Sequence, residues 1–242
     1  MDNAGRIMGE TQTMVQKIAV FWALSVAVLS PGLLGQDGQE GLDQPTVPVL
    51  SAKPSVKVAT FCQGLDGYLG TVDTEIWALA GNTLLDKNPN ASSDANNDGG
   101  ESQVVLRFDE IIGKEPKQIP KFSRIKAAKL HVSAFDQGTT VNLHRMLVPF
   151  SKTATWNSLV DGVSADGLEA SRHKDSFTFG KIAANTSVVI FDVTDTVQRW
   201  VSGAPNYGWV FLNTGGNGWD FYTSDFEDIK QRPKLVIEYE AK

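Results

Sequence analysis

The sequence predicts an all-β protein, an antiparallel sandwich or barrel with one short amphipathic helix. Three observations carry that expectation. From Val56 onward apolar residues recur at alternate positions, the period of a half-buried strand. The runs are short and separated by clusters of Gly, Asn, Asp and Pro, which favours turns over the long crossovers of a parallel sheet. One stretch alone, DVTDTVQRWVSGAP, shifts to helical spacing, with Val193, Val197, Trp200 and Val201 at i, i+4, i+7 and i+8.

The N-terminal part reads as delivery. In MVQKIAVFWALSVAVLSPGLLGQDG, Lys17 precedes an apolar run from Ile18 to Leu29, and Ser30, Pro31 and Gly32 follow. That layout predicts a secretory signal peptide over 1–35, and hence a secreted, extracellular or cell-surface protein. The apolar run is about a dozen residues, short of the ~20 that cross a bilayer, so no permanent membrane span is expected. Residues 36–55 are polar and carry Pro45, Pro48 and Pro54, the makeup of an extended linker.

The strands are expected in residues 56–242. SQVVLRFDEI sets Val104, Leu106 and Phe108 on one face. RIKAAKLHVSAF sets Leu130, Val132 and Ala134 on one face and Lys129, His131 and Ser133 on the other. Further alternating runs follow at TTVNLHRMLV, TSVVIFDV, YGWVFLN, GWDFYTS and PKLVIEYEA. In NYGWVFL, Tyr207, Trp209 and Phe211 share one face and Val210 and Leu212 the other. A strand apolar on both sides belongs at the centre of a sheet. NTGGNG then predicts a hairpin with left-handed residues, and Trp219 and Phe221 alternate on the return strand. For the helix, Thr194 or Asp195 is expected as the cap, Gly203 and Pro205 as the stop, and Trp200 as core.

Composition narrows the function. A net charge of −6 and no Lys/Arg run of five argue against a sequence-independent nucleic-acid binder. The single cysteine, Cys62, rules out an intrachain disulfide and any CxxC site, and its neighbours read as a buried strand. His131, His144 and His173 lack metal-ligand spacing, and GVSADG is not a nucleophile elbow because its second glycine comes one residue late. No catalytic residue is therefore expected, and no organic cofactor.

Two other patterns point to ligands. In SSDANNDGGES, Asp94, Asn96 and Asp98 alternate before Gly99, like the first half of a calcium loop, although position twelve is Val105. A structural calcium is expected there, with Asp66 and Asp73 as a second acidic group; the same string also reads as a hairpin tip rich in turn-formers. Aromatic residues beside short polar groups are the second pattern. An exposed ring stacks on the C–H face of a sugar while Asn, Asp and Arg bond its hydroxyls. Trp156 with Asn157, and Tyr207, Trp219 and Tyr222 beside turns, are the candidates, while Arg145, Lys152 and Arg199 would answer an acidic polysaccharide.

Taken in order, GYLGTVDTEI, VVLRFDEI, IPKFSRIKAAKLHV, TTVNLHRMLVPFSKTATWNSL with its Thr155-Trp156-Asn157, FDVTDTVQRWVSG, NYGWVFL and RPKLVIEY resemble the DNRLRE domain, carbohydrate-binding module family 96. The resemblance runs from about Gln63 to Glu240. Phe150 stands where the family often has tryptophan, and the family's closing S-x-E appears as Ser224, Asp225, Phe226, Glu227. The resemblance implies a β jelly roll over 56–242 and a non-catalytic module that binds polysaccharide. The other reading is a structural or adhesion domain of the cell envelope or matrix, which would bind protein through an apolar patch instead.

Overall fold

Alternation becomes strand wherever the sequence shows it. The computed structural model describes residues 55–136, 138–178 and 187–241. The expected signal peptide and all but the last residue of the expected linker lie outside the described residues. The strands are β1 (Val56–Cys62), β2 (Thr71–Trp77), β3 (Asn90–Asn97), β4 (Gly100–Phe108), β5 (Arg124–Asp136), β6 (Val141–Met146), β7 (Ala170–Thr178), β8 (Ser187–Asp192), β9 (Trp209–Asn213), β10 (Trp219–Tyr222) and β11 (Lys234–Glu240). One α-helix, α1 (Thr194–Val201), stands between β8 and β9. All of these strands pair antiparallel, in a curled, sandwich-like all-β fold.

Register fixes the layers. Leu130 of β5 pairs with both Leu235 of β11 and Phe191 of β8, so those strands flank β5, and β1 extends the layer beyond β11. In the other layer Leu106 of β4 pairs with Asp73 of β2 and Trp209 of β9, and Val210 of β9 pairs with His144 of β6. Its order is therefore β2-β4-β9-β6-β7. Strand β3 belongs to both layers, pairing with β10 over Asn90–Ser93 and with β4 at Asp94 and Asn97. It turns the two layers into one continuous sheet.

The main core lies between the layers. Val104, Leu106, Phe108, Leu130, Val132, Ala134, Phe191, Trp209, Phe211, Trp219 and Phe221 fill it, each almost fully enclosed. Both alternating sets read from β4 and β5 are thus correct. Residues facing outward from β2, β4 and β9, namely Ile76, Val105 and Val210, are equally buried, because the segment 147–169 lies across them with Phe150, Ala154 and Val163. The side-chain amide of Gln103 holds that segment like a strand partner, donating to Val163 O (3.1 Å) and accepting from Val163 N (2.8 Å). This double cover explains why β9 is apolar on both faces.

The helix matches its stripe: Val193, Val197, Trp200 and Val201 are all buried, and Gly203 follows at φ 111°. Its start differs from expectation. The N-cap position is Val193, with no side-chain cap. Thr194 Oγ1 instead accepts from Ala128 N (3.0 Å), and Gln198 Oε1 accepts from Ile125 N (2.9 Å). The hydroxyl serves the edge of β5, where α1 takes over from β8.

NTGGNG also differs. Strand β9 pairs with β4 and β6, whereas β10 pairs with β3 and β5, so the glycine-rich stretch crosses between layers and makes no hairpin. Its glycines are not among the left-handed residues. They are small because the space is tight: a Cβ on Gly218 would sit 2.8 Å from Asp94 Oδ2, and one on Gly215 2.8 Å from Thr139 Cγ2.

Candidate functional site

The expected sugar-binding rings do not form one platform. Trp219 is enclosed, edge-on to Phe191 (6.0 Å between centroids) and stacked on Phe211 (6.4 Å), so it cannot meet a ligand. Its position after NTGGNG suggested a turn flank, but β10 enters the core at once. Trp156 and Tyr207 are half-buried and pack on the cluster beneath segment 147–169. Trp156 lies against Gly162, where a Cβ would come within 2.7 Å of its ring. Asn157 is exposed, yet its N–H donates to Gly81 O (2.9 Å) and its amide to Asn82 Oδ1 (3.0 Å). Thr155 and Ser158 bond reciprocally around it, Thr155 N to Ser158 Oγ (2.8 Å) and Ser158 N to Thr155 Oγ1 (3.2 Å). The Thr-Trp-Asn stretch is a clasp for the covering segment.

The acidic candidates are likewise dispersed. Asp98 and Gly99, at φ 52° and 99°, form the tip of the β3–β4 hairpin, so SSDANNDGGES is extended strand and tight turn. Asp94 Oδ1 accepts from Asn96 N (2.9 Å), which fixes that pair locally. Asp73 is fully buried and both its oxygens accept from Ser224, one from N and one from Oγ, each at 2.8 Å. Burial, outweighing those two bonds, pushes its carboxyl up to about 6. Asp66 is an exposed turn residue. Asp66, Asp73 and the Asp94–Asp98 string stand in different elements, and among the described residues no group of three or more His, Cys, Asp or Glu is placed to hold a metal.

Two clefts among the described residues gather several of these charged and polar side chains. The first, of about 670 Å³, opens where β7 and β8 approach and α1 begins. Arg145 and Arg199 line it with Lys126, His173 and Lys174. Asp175 forms part of its wall but is engaged, accepting from Trp209 Nε1 (2.8 Å) and from Thr196 Oγ1. Asp192 is paired with Lys129 and, despite some burial, is held below its usual value by bonds from Lys129 and Thr194. Arg145 and Arg199 form no ion pair among the described residues. The two guanidinium groups share the hollow with Asp175, Asp192 and Asp195 but are not ion-paired to them, which leaves their N–H donors able to bond an anion.

The second cleft, of about 260 Å³, lies at the opposite edge of the β2-β4-β9-β6-β7 layer. Glu75 and Trp77 of β2 face Asn90 and Ser92 of β3 and Asp220 of β10 across it, with Asn88 and Asn97 at its margin. Glu75 Oε2 accepts from Ser92 N (2.9 Å). Burial first, with Asp220 adding repulsion, pushes Glu75 up to about 7. Asp220 is raised too, by burial and by Asp136 and Asp94. Tyr222 is the register partner of Asn90, one of the residues that line this cleft. It is the shared member of a ring chain, 3.8 Å from Phe226 and 4.7 Å from Phe135, and all three rings are half-buried.

The sequence reading missed Glu75, Trp77, Phe135 and Phe226. Alternation along TVDTEIW could have set Asp73, Glu75 and Trp77 on one face, but not what stood opposite. No protein-family model matches the chain, and no curated protein matches it.

Proposed function

We propose that the chain is a secreted, non-catalytic module that binds polysaccharide. The observation that supports this best is the second cleft, where Trp77 lines a hollow with Asn, Ser, Glu and Asp side chains; the Phe135-Tyr222-Phe226 rings come next to it, Tyr222 being two residues along β10 from Asp220. Flat rings cover the C–H face of a pyranose, and short polar groups bond its hydroxyls. The DNRLRE resemblance supports the same class, and secretion rests on the Lys17–Gly35 layout. The calcium expected near Asp94 is not needed for this reading.

Affinity electrophoresis against soluble neutral and acidic polysaccharides tests it. Phe226→Ala should weaken retardation about tenfold, roughly 1.4 kcal/mol, with an unchanged melting temperature. Absence of retardation in every gel would remove the proposal. The Arg145 cleft favours an acidic polymer as an additional ligand, and Arg145→Gln with Arg199→Gln should abolish any salt-sensitive retardation by a uronate polymer. The adhesion reading draws on a hollow of about 910 Å³ beside β1, where Val58 and Leu69 are 64% and 74% exposed. Loss of protein capture in Val58→Lys, with glycan retardation absent, would favour it.

A further inference from the structure

We propose that the hollow of about 910 Å³ beside β1 takes an extended, cationic peptide segment, which pairs with the free edge of β1 as an added strand. This rests on the protein-binding reading of that hollow and not on the saccharide one, since the hollow shares no lining residue with either cleft described above.

Four consecutive residues of β1, Val58, Ala59, Thr60 and Phe61, line the hollow. Side chains alternate along a strand, so a space that touches both parities lies along the backbone edge and not on one face. That edge is open: β1 pairs with β11 alone, and among the described residues no further backbone bond reaches residues 56–61. The strand lacks the usual guards of an edge. Its register with β11 is unbroken by any bulge, it holds no proline, and Lys57 is its one charge. Unpaired N–H and C=O groups in a row call for a partner with a backbone of its own, which a saccharide does not have. Among the described residues that line the hollow there is also no tryptophan, asparagine or glutamine. Its other walls come from the loop after β1, with Leu65, Tyr68 and Leu69, and from the loop after β4, with Glu110, Pro116 and Lys117. Apolar side chains of the added strand would rest on the exposed Leu69 and on Tyr68, which meets Phe61 edge-on at 5.3 Å. A lone strand fits between such walls, whereas a second folded copy would have to bring its edge past both. Charge selects the segment. Lys117 donates to Asp66 O and Asp109 is held by Arg107, while the Asp66 and Glu110 carboxylates are in no ion pair among the described residues, so the rim favours lysine or arginine.

Fluorescence anisotropy with the full chain tests this, using labelled octapeptides of alternating valine and lysine, of alternating valine and glutamate, and a valine–lysine peptide N-methylated throughout, which keeps the side chains and loses the donors. The valine–lysine peptide should bind at least about tenfold tighter than the other two and should slow deuterium exchange at the β1 amides not bonded to β11. Leu69→Lys should weaken it by a similar factor, and Asp66→Asn with Glu110→Asn should level the lysine and glutamate peptides. All three positions are exposed, and asparagine tolerates the left-handed backbone at Asp66 and Glu110, with φ 51° and 58°. Equal binding of the N-methylated and parent peptides would overturn strand addition and leave protein binding at this hollow standing. Equal binding of the lysine and glutamate peptides would overturn the cationic assignment. Binding of none would overturn both the mode and the protein-binding reading, with the saccharide reading untouched. Slow exchange at every β1 amide in the free monomer would show the edge already covered and overturn the proposal, as would a dimer in sedimentation that Leu69→Lys dissociates.

Discussion

Trp219 and Phe226 stand close in sequence and have opposite fates. Trp219→Ala should lower unfolding stability by about 3–5 kcal/mol in a denaturant titration, because it empties a core position that Phe191, Phe211 and Phe221 surround. Its parity with Phe221 was visible in GWDFYTS and pointed inward; nearness to NTGGNG pointed outward and was the weaker signal. Asp175 was not legible at all. It lies in a polar run, SRHKDSF, with no apolar neighbour to announce that it meets the indole of Trp209. Asp175→Ala should cost about 2–4 kcal/mol by the same titration, since it strands two buried donors, and Asp175→Asn should cost less.

Strands and helix were readable because burial on one side imposes period two, and an exposed helix imposes 3.6. Their partners were not. Asp98-Gly99 makes the tight β3–β4 turn, while NTGGNG, richer in glycine, makes a crossover. Both strings contain turn-formers, and only the strand each one enters distinguishes them. Segment 147–169 has no period, so its role as a cover was hidden, although the second apolar set of β4 and β9 was its trace. Gly208 joins the approach to β9 at φ 73°, and a Cβ there would sit 2.1 Å from Leu106 O. Gly208→Ala should therefore destabilise by at least about 2 kcal/mol, read as a lowered denaturant midpoint with an unchanged slope. Trp156→Phe, which keeps a ring against Gly162, should lower the midpoint far less than Trp156→Ala.

Two seams of opposite character close the molecule, one with Arg145 and Arg199 and one with Glu75 and Asp220. The acidic seam shapes stability against pH. Glu75 rises from 4.5 to about 7 and Asp73 from 3.8 to about 6. In each case the folded state binds the proton more tightly than the unfolded chain. The stabilisation is complete below the unfolded values and is lost as pH climbs through 6 and 7. His131, lowered by burial and by Lys234, works the other way below 6.5, as one part-buried group against two carboxyls. Below about 4, Asp192 and Asp228, whose values are lowered, lose their bonds. Melting temperature should be higher at pH 5 than at pH 8, and Glu75→Gln should flatten that slope.

Strand β3, shared by both layers, has a mechanical consequence. A sandwich of separate leaves can be pried apart by breaking side-chain contacts alone, but here a peptide ladder rivets one leaf to the other through Ala91 and Asp94. Parting the leaves means unzipping β3, so its amides should be among the last to trade hydrogen for deuterium.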